Sequence, residues 1–300
     1  VAVFASAALA AHTGKLELAI RHVLAGLGHG IHAGRERGAG VEFSEYRAYA
    51  PGDEWRRVDW KLMARADRYY VREAERDSHV AVWLVLDATA SMGEPSRSIS
   101  GLDKLGYARL LLGCVGAIAQ RQGDAFGLVV CHGERAHFTP ASRGPRQLQR
   151  VLSQLERVEA AGTLPGSEVL RASLHFARAP SVVCVAGDFL EWPSPLSEAM
   201  IRLRGMRHDV RALCLQTEAE IAADFDAAQA WRDPEGDGKL FRFGREARSE
   251  YARKRGEHFE MLARQCRAHD IPYTAAPIER APGEVLRSWL QTRLNARGGR

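Results

Sequence analysis

HVAVWLVLDATAS, residues 79–91, decides the fold. Its first eight residues form a short, near-continuous apolar run rich in Val and Leu, the pattern of a strand covered on both faces. The run stops at Asp87, and Thr89 and Ser91 follow at alternate positions. A second segment repeats the design: SVVCVA, 181–186, leads through Gly187 to Asp188. Around these two, strand and helix patterns alternate. Helical spacing predicts helices at 105–119 (closed by Gly123), 146–158, 168–177 and 196–206. Strands are expected at 126–131, with 136–139 as a pairing neighbour, and at 209–215. Two further helices, 247–269 and 283–293, enclose an extended piece at 272–276. This alternation predicts an α/β fold, a mostly parallel sheet flanked by helices.

In open α/β sheets, ligands bind beyond the carboxyl ends of the strands. Asp87, Thr89 and Ser91 would present a carboxylate and two hydroxyls there, and Asp188 a second carboxylate. Hard oxygen donors of this kind suit Mg²⁺. Thr163, in the loop AAGTLPG at 160–166, offers a third hydroxyl from a neighbouring connection. Asp and Ser just past a strand are also ordinary turn and helix-capping residues, so spacing alone leaves both readings open. The same two aspartates suit a rival chemistry, a metal-dependent phosphoester hydrolase, although neither has an obvious general base beside it in the sequence.

Upstream the pattern differs. Leu16, Ile20, Val23, Leu24 and Leu27 have helical spacing, and a glycine-rich basic stretch follows at 28–40. Short β-prone pieces at 41–46 and 69–72 bracket a dense polar and aromatic segment, YAPGDEWRRVDWKLMARADRYY. Two parts are therefore expected, an N-terminal elaboration at 1–79 and the α/β domain at 80–300. Within the elaboration, Asp53, Trp55, Arg56, Arg57, Asp59, Trp60 and Arg65 are candidates for docking a partner, since Trp, Tyr and Arg dominate interface hot spots. The competing expectation is an ion-pair and aromatic layer satisfied within the chain itself.

Composition narrows the function classes. At 300 residues, 46% apolar and 26% charged, the chain has globular values and enough length to bury a core without staples. The net charge of +5 is not spread evenly: residues 242–300 carry 13 basic and 7 acidic groups, while 80–241 carry 17 and 19. The basic excess thus reads as an Arg-rich helical face, and without interleaved aromatics it gives no support for nucleic-acid binding. Five widely spaced cysteines with no C-x-x-C fit neither a disulfide framework nor a zinc site, and imply a reducing, cytoplasmic setting. No run approaches the roughly 18 uninterrupted apolar residues of a membrane span. G-x-x-x-x-G-K-[ST] and G-x-S-x-G are both absent, which removes a P-loop ATPase and the commonest serine-hydrolase pattern.

Asp87, Thr89, Ser91, Thr163 and Asp188 resemble the metal-ion-dependent adhesion site of von Willebrand factor A-like domains, D-x-S-x-S followed by a distant Thr and a distant Asp, with Thr89 in place of the usual Ser. VEFSEYRAYAPGDEWRRVDWKLMAR, 41–65, resembles the signature of the family called domain of unknown function 58, with Val58 where Ile is usual. The resemblance implies a von Willebrand factor A-like domain directly after the signature. It also implies a divalent cation, Mg²⁺ or another, held directly by the hydroxyls and through water by the aspartates, with one position left for a partner's carboxylate. A MoxR-type AAA+ ATPase is the implied partner, and a non-enzymatic role in protein assembly or maturation the implied function. Leu164 departs from the family's usual Thr-Asp pair at that loop.

Overall fold

The structure is a computed structural model that describes residues 16–31, 45–48, 70–73, 81–133, 135–174, 180–224, 230–232, 240–242 and 245–291. The chain forms two compact units, Val1–Gly28 together with Val80–Arg300, and His29–His79. Helix α1 (Leu16–Ile31) contributes its apolar stripe, Leu16, Ile20, Val23 and Leu27, to the core of the larger unit. A division at residue 79 would separate this helix from the side chains that cover it. In the smaller unit, β1 (Glu45–Ala48) pairs antiparallel with β2 (Tyr70–Glu73), Glu45 lying opposite Glu73. The signature residues Asp53, Trp55, Arg56, Arg57, Asp59, Trp60 and Arg65 fall between these strands in sequence and lie outside the described residues.

The larger unit follows the expected alternation. β3 (Val82–Asp87) leads through a 3-10 turn (Ala90–Gly93) to α2 (Lys104–Gln122), then β4 (Phe126–His132) and β5 (Arg135–Ser142). Next come α3 (Pro145–Arg157), α4 (Ser167–Ser173), β6 (Val182–Gly187), α5 (Pro195–Gly205) and β7 (Asp209–Gln216). The chain closes with α6 (Glu218–Ala222), the paired strands β8 (Ala230–Arg232) and β9 (Leu240–Arg242), α7 (Arg245–Ala268), β10 (Tyr273–Pro277) and α8 (Pro282–Gln291). The sheet order is β10-β7-β6-β3-β4-β5, parallel throughout except for the antiparallel edge pair β4–β5. This is the doubly wound α/β arrangement, with its topological switch between β3 and β6.

Period-2 alternation sorts the core into two layers. Val82, Leu84 and Leu86 of β3 face α1, α2, α3 and α8, while Trp83 and Val85 face α4, α5 and α7. Both faces being covered explains the unbroken apolar run in β3. Helix α2 is buried almost all round, so its sequence is apolar with little amphipathic contrast. Asp103 caps its start by accepting from Gly106 N at 2.6 Å, and Gly123 stops it at φ 77°, a left-handed conformation that glycine adopts without strain. No described helix is long and apolar enough to cross a membrane. The exposed basic surface of α7 is laced with its own acids: Arg253 lies 2.8 Å from Glu250 and 2.7 Å from Glu257, and Lys254 lies 3.3 Å from Glu250.

All five cysteines are free and buried. Burial pushes the thiols up, Cys184, Cys214 and Cys266 to about 12, and Cys114 and Cys131 further still. An unperturbed thiol, as in an unfolded chain, titrates at about 8.5. From about pH 9 upward the unfolded state therefore binds fewer protons than the folded state, and stability must fall as pH rises. Urea unfolding at pH 8 and pH 10 is expected to show a lower midpoint at the higher pH. An equal or higher midpoint would contradict burial of the thiols.

Candidate metal centre

The two strands that flank the topological switch, β3 and β6, both end in the residues of interest. Asp87 is the last residue of β3, and Asp188 directly follows β6. Both are buried, with 2% and 3% of their surface exposed. Two acidic groups so placed need strong compensation, because burial disfavours the charged form and like charges repel.

Part of that compensation is local. Asp87 Oδ1 accepts from the backbone N–H of Thr89 at 3.0 Å, an Asx-type turn that swings the chain out of the strand. The following turn brings Thr89 Oγ1 within 3.2 Å of Ser91 Oγ, both side chains buried. The loop bearing Thr163 is stitched to this segment: Ala90 N donates to Gly162 O at 2.9 Å and Ala161 N to Ala88 O at 3.0 Å. Thr163 itself is exposed, and its neighbour Leu164 lines the cleft. Phe189, Leu190, Glu191, Ser194 and Leu196 also line it. Phe189 holds φ 50°, and its carbonyl is 2.9 Å from His258 Nε2 on α7, which fixes the loop after Asp188 to that helix.

The rest of the compensation comes from a residue that motif reading passed over. Lys104 opens α2 and is 1% exposed. Its Nζ donates to Asp188 Oδ2 at 2.8 Å and to Glu220 Oε1 at 3.0 Å. Burial works against the ammonium, but the charges of Asp188 and Glu220 outweigh it and hold the Lys104 pKa above the ordinary lysine range. Glu220 is fixed in turn by the capping box of α6, where its Oε2 accepts from Thr217 N at 2.7 Å. A sequence signal did exist. A lysine in the first turn of a helix opposes the helix dipole, so it needs an acidic partner nearby.

The donor set fits a hard divalent cation. Two ligands at about 2.1 Å from an octahedral Mg²⁺ stand about 3.0 Å apart when adjacent, close to the 3.2 Å between the Thr89 and Ser91 hydroxyls. Among the described residues no group of three or more His, Cys, Asp or Glu is placed to hold a metal. The cleft has an internal volume of about 10 Å³, room for about one water molecule, far below the range of about 300–1,000 Å³ typical of small-molecule sites.

The chain belongs to the family described as "Protein of unknown function DUF58", which matches residues 45–261. It is 26% identical to the uncharacterized protein Mb1516 of Mycobacterium bovis over 281 residues, 91% of this chain and 86% of that one. Among solved structures it is similar to the conserved hypothetical protein BatB of Bacteroides thetaiotaomicron (TM-score 0.42, 14% identity, 71% of this chain and 99% of that one). It is also similar to the SpRpn10 VWA domain (TM-score 0.41, 8% identity, 73% of this chain and 99% of that one).

Asp87 packs against a position that must be glycine. A Cβ on Gly187 would lie 2.8 Å from Asp87 Cβ and 2.9 Å from Asp87 Oδ2, at the carboxyl ends of two adjacent buried strands. Gly187→Ala is expected to lower unfolding stability by about 1–3 kcal/mol through overpacking. Gly205→Ala, where nothing lies within 4 Å of the added methyl, should stay near wild type. Equal stabilities in a urea titration would contradict the tight seating of Asp87.

Proposed function

We propose that the cleft is a divalent-cation site, and that the protein is a non-enzymatic interaction module that captures a carboxylate of a partner protein there. The observation that carries this is the convergence of two buried hydroxyls, Thr89 and Ser91, and two buried carboxylates, Asp87 and Asp188, at the switch point of the sheet. Thr89 and Ser91 would hold the cation by their hydroxyl oxygens, and Asp87 and Asp188 through bridging water, as hard donors hold Mg²⁺. When bound, the cation supplies an open position for an acidic side chain. Thr163 stands on the loop tied to residues 88–90 and is exposed to an incoming partner. A change between direct and water-mediated contact at Thr163 would link partner capture to movement of that loop.

Among the described residues the titratable groups that line the cleft are Asp87, Asp188 and Glu191, all acids of the kind that suit a hard cation. Membership of the family and the motif resemblance support a MoxR-type AAA+ ATPase, or a client protein presenting an acidic residue, as the partner in protein assembly or maturation. A cytoplasmic setting accords with five reduced cysteines.

Titration calorimetry with Mg²⁺ tests the site directly. Wild type is expected to bind, Thr89→Ala and Ser91→Ala to bind at least about tenfold more weakly, each having lost one of few ligands, and Thr163→Ala to lose less. Equal affinities in folded variants would contradict the assignment. A panel of generic phosphoesters separates the rival chemistry: Mg²⁺-dependent turnover lost in Asp87→Ala would make the protein a hydrolase.

A further inference from the structure

We propose that Lys104 is a built-in counter-cation for the cleft: it does for the buried acids what a bound metal would do, so the domain folds without metal and holds metal weakly until a partner's carboxylate joins it. The proposal rests on the cation-site assignment above and adds how that site is regulated.

Two observations carry it. Lys104 is fully enclosed, and its ammonium reaches Asp188, one of the four proposed cation-holding residues, at 2.8 Å. Its second partner, Glu220, is itself pinned by Thr217 at the start of α6, so the lysine meets a carboxylate held in place rather than a free side chain. Neutralising Asp188 from behind has a direct cost for a metal in front of it. The cation meets a carboxylate whose charge is already shared, and it feels the repulsion of an ammonium a few ångströms further on. A partner's carboxylate supplies the missing negative charge, so metal and partner are expected to bind together more tightly than either binds alone.

The test uses the whole chain and Mg²⁺ alone. Lys104→Met removes the charge and keeps most of the volume; Lys104→Arg keeps the charge. Lys104→Met is expected to bind Mg²⁺ at least about tenfold more tightly than wild type in calorimetry, from the loss of one nearby positive charge. Its melting temperature should fall in EDTA and rise on adding Mg²⁺ by more than wild type does, because at a given concentration a tighter-binding ligand stabilises a fold more. Lys104→Arg should stay close to wild type in Mg²⁺ affinity. If Lys104→Met does not fold without metal, Lys104→Met/Glu220→Gln is compared with Glu220→Gln in the same two measurements, and tighter Mg²⁺ binding by the double variant is expected. A folded lysine-free variant that binds Mg²⁺ no more tightly than its parent would overturn the proposal and leave the cation site standing. Absence of Mg²⁺ binding by wild type and every variant up to millimolar concentration would overturn both.

Discussion

Two carboxylates buried side by side at the end of a parallel sheet are the constraint on which the rest of this structure depends. Asp87 and Asp188 terminate adjacent strands and have almost no contact with solvent. In such surroundings unpaired negative charges cost several kcal/mol each. Much of the nearby architecture reads as an answer to that cost. The Thr89 amide turns back onto Asp87, Gly187 makes room for it, and Lys104 is drawn wholly into the interior to meet Asp188. Helix α2 begins where it does because Asp103 caps it and Lys104 must point inward. The short helix α6 hardly contributes to the apolar core, with no buried residue of its own, yet it is held by the same lysine through Glu220.

Stability alone would not select this arrangement. Buried ion pairs are often no better than well-packed apolar groups of the same volume. Four polar side chains kept at the switch point, where ligands bind in sheets of this class, therefore point to use. The apolar layers on either side are ordinary: α2 is embedded in one, and α5 and α7 cover the other. The exposed loop around Thr163 and the exposed Leu190 stand beside the cleft.

The fold was legible in the sequence because its strongest elements carry their own signals. The runs at 79–86 and 181–186 became β3 and β6, and both aspartates fell where the runs ended. The antiparallel partner expected at 136–139 is β5. What local pattern could not show was pairing across distance. The apolar stripe of α1 reads the same whether it covers its own segment or the sheet; only packing assigns Ile20 to the core beneath α2. Helix α6 and the β8–β9 pair were passed over because they are three to five residues long, although Thr217 and Glu220 had the capping-box spacing. The helix expected at 168–177 ends at Ser173 with Leu174 as its C-cap, and 175–177 lie outside the described residues. Lys104 was the main omission at the site. Its partners lie 84 and 116 residues away in sequence, and nothing nearby marks it except its unfavourable place in a first helical turn.

The central claim is that a divalent cation seats at the hydroxyls of Thr89 and Ser91 with Asp87 and Asp188 behind them. Crystals of the protein soaked in Mn²⁺, measured at a wavelength where manganese scatters anomalously, would test it most directly. One anomalous peak within bonding distance of both hydroxyl oxygens, and within one water of both carboxylates, is the expected result. Well-ordered side chains at the cleft with no peak, or a peak bound only at surface carboxylates, would contradict it.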